Sequence, residues 1–488
     1  MADVLIELAP LAGTVATLAV RRGRMVEAGL VGLALSLPAA AFVLRPELSF
    51  APFVADAVLR GLWLALHAAT VIVAGLFFFE ATRAGWSTDV AAPSAVDARK
   101  LWFGCFLLGP FCEAATGVGV GLVILVPFLQ RMGLGGGIAV AFGLFSQILV
   151  PWGTLAIGTV LGAQLAQVPL ESLGSASAWL TAPLLLTYLA AYWRLRASCL
   201  GTPRLAECLD DLVWTAALWV LLLLAHRVVG TDTAGLAAAG SLLFLRFLRD
   251  GGLWSWRDPR LLREAAPYAL LTAVLLIVRG IPGVASWLAQ LWTLRPFEGL
   301  APFPVFQHAF FWVSLVAVVV ALAEGLSVPA WRRLGRRLAA RAWRPVTVTV
   351  VFVVMGEILA LAGISEALAS ELAAALGWGA LAVSPWLAAA AGFLTGTNFA
   401  SNAMLMPMQV ALAGNLAVDP RWLAALQNVA GSNFTLLSPI RVAMGAALAG
   451  DGKAARTAAA EAYRRLLPLT AALLAILALM GLALKALR

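Results

Sequence analysis

The stretch Phe111-Cys-Glu-Ala-Ala-Thr-Gly-Val-Gly-Val-Gly121 places a carboxylate, Glu113, and three alternating glycines inside a long apolar run. Lipid penalises both features. A charged side chain at bilayer depth costs at least about 2.5–3.5 kcal/mol on insertion scales. Glycine at every second position weakens a helix. Irregular backbone survives at membrane depth only where protein or a water-filled cavity surrounds it. The stretch therefore predicts the tip of a re-entrant hairpin within a membrane transporter.

The rest of the chain supplies the membrane context. Of its 488 residues, 62% are hydrophobic and only 12% are charged. Its mean hydropathy is +0.92. Soluble domains carry about 25% charged residues. Apolar runs of near-spanning length recur from end to end, which defines an all-α polytopic membrane protein. The net charge of +9 invites a nucleic-acid reading. The basic residues lie in short loops between apolar runs, however, where the positive-inside rule accounts for them, so no nucleic-acid partner is expected. Cys105, Cys112, Cys199 and Cys208 show neither metal-ligand nor disulfide-framework spacing. Three histidines are too few for a metal-dependent intramembrane enzyme, and no catalytic triad or His-Glu-x-x-His motif is present. Neither an enzyme nor any cofactor or metal is expected.

About 12 transmembrane helices are expected, at 4–20, 25–43, 61–79, 137–165, 179–193, 212–228, 234–248, 267–282, 303–322, 345–363, 421–449 and 466–485. Two segments, 101–130 and 383–414, are too long for one crossing and too broken for two. Each fits a hairpin that enters and leaves by one face. With the N-terminus outside, 25 of the 34 basic residues fall in inner loops, among them Arg21, Arg22, Arg99, Arg131, Arg257 and Arg465. That bias supports both hairpins, because reading either as a single crossing reverses the later loops. The first hairpin then enters from inside and the second from outside, within a single integral membrane domain over 1–488. An interrupted span follows each. Glu113 precedes Pro151 by 38 residues, and Asn402 precedes Pro439 by 37. The layout predicts an inverted repeat, with a first unit at 61–165 and a second at 345–449. Such repeats place their sites at the midplane, where discontinuous helices meet. The segment Trp331–Arg344 reads as a basic inner loop, amphipathic enough to touch anionic headgroups.

Candidate site residues follow from that layout. The second tip, Thr395-Gly-Thr-Asn-Phe-Ala-Ser-Asn402, concentrates neutral donors and acceptors. Thr397, Asn398, Ser401, Asn402 and Gln409 are candidates for ligand contact there. Asn433 and Ser438 join them from the second interrupted span, and Thr116 and Gly117 from the first tip. The plainer alternative is that such side chains satisfy one another across helices. Arg441, just after Pro439, is the candidate anion clamp, since guanidinium binds carboxylate in a bidentate manner. Glu113 is the candidate for proton coupling, or else a permanent partner of Arg441 or an acceptor of hydrogen bonds from the hairpin. Glu357 is an intramembrane carboxylate with no obvious partner. His67 stands alone in a helix, where packing is the plainer role.

These motifs resemble the bacterial L-lactate permease family, which includes glycolate permeases. The opening spans around Arg21-Arg22 match in layout. Glu113-Ala-Ala-Thr-Gly117-Val-Gly119 is similar to that family's Glu-Gly-Ala-Ala-Gly-Phe-Gly segment. Thr395–Asn402 with Gln409 is similar to its Thr-Gly-Ser-x-Thr-x-Ser-Asn…Gln segment. Gln427-Asn428…Gly431…Ser438-Pro439 is similar to its Gly-Gly…Ile-Ser/Ala-Pro segment. The chain departs from the family at Ala114, Val118, Pro151-Trp152-Gly153 and Arg441, where a neutral residue is expected. The resemblance implies symport of a 2-hydroxy monocarboxylate with a proton across a bacterial inner membrane. A sodium-coupled carrier of dicarboxylates or other carboxylates on the same scaffold stays open, as does a homodimer, for which no interface is legible.

Overall fold

A computed structural model describes residues 2–21, 24–44, 49–83, 96–117, 119–250 and 259–487. Arg22, Arg257 and Val118 lie outside the described residues. Among the described residues the regular structure is helical apart from one two-stranded antiparallel ribbon, β1 (Thr293–Leu294) with β2 (Phe303–Pro304). The chain opens with α1 (Ala2–Val20), α2 (Met25–Val43) and α3 (Phe50–Arg83). A first helix-turn-helix follows. Its leading arm is α4 (Ala98–Phe103), a π-helical turn over Gly104–Leu108, and α5 (Gly109–Thr116). Its return arm is α6 (Val120–Arg131). An interrupted helix comes next, α7 (Gly136–Gly143) and α8 (Gly153–Ala166), bent by 56°. Then come α9 (Leu170–Leu200), α10 (Leu205–Val228), α11 (Thr231–Arg249), α12 (Pro259–Gly280), α13 (Pro282–Leu291) and α14 (Ala309–Ala323). The C-terminal part runs α15 (Val328–Leu361), α16 (Ile364–Leu376), α17 (Ala380–Thr395), α18 (Asn398–Asn415), α19 (Pro420–Phe434), α20 (Pro439–Ala449) and α21 (Gly452–Ala483). A long helix, a helix-turn-helix and an interrupted helix thus follow one another in both parts of the chain, with α16 standing between the long helix and the second helix-turn-helix.

Length and apolarity make this an integral multi-pass membrane protein. Among the described residues, eight helical segments are long and apolar enough to cross a bilayer, with α16 and α17 counted as one, and ten if each bent pair also counts as one span. That is fewer than the twelve expected. α14 has only 15 residues, α11 carries Asp232, Arg246 and Arg249, and the 420–449 region is divided by Thr435–Leu437 and Ser438. The expected span 303–322 also begins too early, because Phe303–Pro304 pairs as a strand and His308 caps α14. The chain bends by 85° between α12 and α13, where Pro282 at the helix start forbids a straight continuation. The basic segment Trp331–Arg344 is helix rather than loop. It forms the first half of α15, and buried Glu80 at the end of α3 holds it through Arg341 at 2.7 Å and Arg337 at 3.1 Å.

Helices without a strong apolar drive between them associate through close backbone approach at small residues. Gly61 on α3 faces the Val354 backbone of α15, where an added Cβ would lie 2.7 Å from its Cα. The same two helices then grip the two helical hairpins. Gly75 of α3 abuts the Thr116 carbonyl, and Gly356 of α15 abuts the Ala403 carbonyl. Gly392 of α17 lies so close to α19 that a Cβ would stand 2.0 Å from the Gly431 carbonyl oxygen. A Gly392→Val substitution is expected to destabilise the protein by about 1–3 kcal/mol, as overpacking does. Gly414→Ala, with nothing within 4 Å of the added carbon, is the control expected to leave stability unchanged or to raise it by up to about 1 kcal/mol. A thermal scan with a thiol-reactive dye checks both, because buried free Cys105 and Cys112 react only on unfolding.

Candidate functional site

The first tip is built by Glu113 itself. α5 ends at Thr116, and the backbone turns through Gly117 (φ 67°) and Gly119 (φ 85°), a left-handed region that favours glycine. Two of the freed amides at the start of α6, those of Gly119 and Gly121, each donate to the Glu113 carboxylate at 3.1 Å. A helix start offers such unpaired donors and favours negative charge. Space demands glycine as strongly as conformation does. A Cβ on Gly117 would lie 1.5 Å from Thr154 Oγ1, and one on Gly119 would lie 2.6 Å from Arg441 Nη1.

The second tip is organised differently. α17 ends at Thr395, Gly396 turns with φ 65°, and the Thr397 hydroxyl caps α18 by accepting from the Ala400 amide. Ser438 caps α20 in the same way, accepting from the Arg441 amide. That cap and Pro439 at the first helical position start a new helix in the middle of the protein.

Arg441 joins the two tips. Its Nη1 lies 3.2 Å from Glu113 Oε1, and its Nε donates to the Gly396 carbonyl at 3.4 Å. Arg441 is 7% exposed and Glu113 3%. A buried ion pair is sustained only where further hydrogen bonds satisfy both partners. Here the two glycine amides serve the carboxylate and the Gly396 carbonyl serves Nε of the guanidinium, while Nη1 contacts Glu113 by charge and is buried without a hydrogen-bond partner.

The first interruption is strained. After the 3-10 turn Val150–Trp152, three successive non-glycine residues, Thr154, Leu155 and Ala156, hold φ of 52°, 53° and 55°. Each costs roughly 1–2 kcal/mol relative to right-handed helix. The Thr159 hydroxyl bonds the Pro151 carbonyl that the break leaves free. Strain of this kind concentrates at ligand clamps and switch regions. Thr154 is the residue that Gly117 touches.

Asn428 ties the second tip to this interruption. Its Oδ1 accepts from Asn398 Nδ2 at 2.8 Å and Asn402 Nδ2 at 2.9 Å. Its Nδ2 donates to Thr159 Oγ1 at 2.9 Å and Ser177 Oγ at 3.0 Å. Asn402 also donates to the Gly158 carbonyl. One amide thus links α8, α9, α18 and α19 with its full bonding capacity used.

The predicted residues therefore fall into groups. Glu113, Gly117, Ser438 and Arg441 gather where the tips meet. Asn398 and Asn402 bond Asn428 yet keep Oδ1 atoms that are buried and unpartnered, as is Gln147 Oε1 in the first interruption. Ser401 and Gln409 belong to a ladder through Gln427 to Ser384, and Asn433 accepts from Tyr188. Thr116 bonds its own helix at Cys112. Those last residues satisfy one another across or along helices, the plainer alternative. Glu357 is buried and makes no ion pair among the described residues. Thr159, Ser177 and Tyr188 escape the sequence, since lone hydroxyls on apolar helices give no motif.

A family model described as L-lactate permease matches residues 293–457. This bears out the resemblance over that third of the chain, from the ribbon to the start of α21. The matched region holds the second tip, Asn428 and Arg441, while Glu113 lies outside it. No curated protein matches the chain.

Breaking the pair from one side should cost more than removing it. Arg441→Gln leaves a buried carboxylate without its cation, for which about 3–5 kcal/mol is typical. The expected outcome is a large fall in thermal midpoint for Arg441→Gln and a smaller one for Glu113→Gln with Arg441→Gln together, read as a double-mutant cycle on purified protein.

Proposed function

We propose that the protein is a secondary carrier of a small organic anion, a 2-hydroxy monocarboxylate of the lactate and glycolate type, moved together with a proton. The observation that carries this proposal is the Glu113–Arg441 pair at the junction of the two tips. The match to L-lactate permeases over 293–457 supports the substrate class.

The pair gives a physical route to coupling. While Glu113 is ionised, Arg441 is occupied. A proton on Glu113 removes the opposing charge and leaves the guanidinium free for a substrate carboxylate, which it holds by charge-assisted bonds. The unpartnered Oδ1 atoms of Asn398 and Asn402 accept from the substrate hydroxyl. Proton and anion then load as a neutral unit, and neither loads well alone. In this proposal the two helix-turn-helices are re-entrant hairpins of an inverted repeat. The repeats rock about the junction, with the Arg-rich turns on the inner side of a bacterial inner membrane.

Uptake of labelled L-lactate and glycolate into proteoliposomes tests the proposal. An inward proton gradient is expected to drive saturable uptake. Uptake driven by sodium in place of protons points instead to a sodium-coupled carboxylate carrier, and no uptake of either acid overturns the substrate class. Glu113→Gln is expected to keep lactate exchange while losing its response to the pH gradient. Arg441→Gln is expected to weaken apparent affinity roughly 10–100-fold, the worth of about 1.5–3 kcal/mol of charged hydrogen bonding.

A further inference from the structure

A cavity of about 660 Å³ lies away from the tip junction, between α3, α8 and the starts of α9, α11 and α14. Its wall includes Leu155, within the strained turn beside the residue that Gly117 touches. Three buried polar atoms on its lining residues have no hydrogen-bond partner: His67 Nε2, Gln164 Oε1 and Arg279 Nε. Buried polar groups are almost always paired, so three orphans around one cavity call for a common explanation.

Each orphan has a defined chemical sense. His67 is 4% exposed and packs edge-on against Trp63, Phe303 and His308, which fixes its ring. Its Nε2 donates or accepts according to the ring's tautomer, and Gln164 Oε1 is an acceptor, so one hydroxyl can bridge the two. Arg279 spends one terminal nitrogen on Asp232, and its Nε–H remains a charged donor. The complement is a small molecule with one anionic acceptor group and a hydroxyl donor beside it. Glu171 also borders the cavity, so two carboxylates face the single guanidinium, which Asp232 already pairs. An anion is held there only through the directed Arg279 Nε donor, and weakly.

We infer that this cavity is a second binding site for a small hydroxycarboxylate, with the carboxylate on Arg279 and the hydroxyl on Gln164 and His67. The choice of a hydroxy acid rests on the proposed function, whereas the anion site rests on the three orphaned atoms. On the charge-based orientation the cavity lies toward the outer side, because α8 ends and α9, α11 and α14 begin there. It stands one residue from the tip contact, where a substrate would wait before reaching Arg441.

The chain's three histidines, His67, His226 and His308, make the test specific. Full-length protein carrying isotope-labelled histidine gives three imidazole signals, and His67→Gln identifies the one of interest. His226 is held by Trp152 and Thr231 and serves as the reference. Titration with L-lactate or glycolate is expected to shift the His67 signal saturably, and titration with uncharged lactamide to leave it in place. Gln164→Leu, with the His226 signal unchanged as evidence of folding, is expected to weaken that response about tenfold for L-lactate and little for acetate. No saturable His67 shift, an equal shift with lactamide, or a shift at His226 alone overturns the inference. A His67 response in protein that transports neither acid keeps this site and sinks the carrier proposal; proton-driven uptake with a silent His67 does the reverse.

Discussion

One buried ion pair sets the terms for the rest of this protein. Glu113 and Arg441 lie more than three hundred residues apart in sequence, yet each is embedded in the other's solution to a local problem. Glu113 closes a helix start whose amides face no water, and Arg441 occupies the space that Gly119 leaves empty. Neither group tolerates the interior alone, because an unpaired buried charge costs several kcal/mol. The positions of both tips therefore depend on the pair. Anything that weakens it, a proton above all, loosens the junction.

Around that junction the protein divides its polar groups by task. Asn428 spends every bond on holding four helices, and the Gln409–Gln427–Ser401 ladder closes the second hairpin. Rigid elements built in this way hold the candidate site in place. The strained run Thr154–Ala156 is the counterpart on the other side, a segment held in an unfavourable backbone region beside the first tip. Glycines at Gly61, Gly75, Gly356 and Gly392 bring the surrounding helices to near-contact distance. A small shift at the tips therefore meets backbone at once.

Much of this was legible in the sequence wherever chemistry conflicts with lipid. A carboxylate among alternating glycines, a run of Asn, Ser and Thr, and prolines inside apolar spans all carry a penalty that structure must repay. They marked both tips and both interruptions. Pairing was not legible in the same way. The link from Arg441 to Glu113 was one alternative among several, because nothing local to either residue names the other. Asn428 showed its polarity but not its four partners. The helical first half of α15 was hidden for the opposite reason. Its arginines look like a loop until buried Glu80 is seen to pair with two of them. His67 packs against Trp63, Phe303 and His308, as the plainer reading has it, and the cavity beside it is not legible because sequence spacing does not bring α8 and α12 to α3.

Under the proposed function substrate and Glu113 compete for Arg441, so that binding the anion puts a proton on Glu113. Infrared difference spectroscopy of the reconstituted protein measures that protonation directly. On addition of carbon-13-labelled L-lactate, a new protonated-carboxyl band is expected that does not shift with the substrate's isotope and that is absent in Glu113→Gln. A wild-type protein that binds L-lactate without the band, or a Glu113→Gln protein that still shows it, overturns the competition.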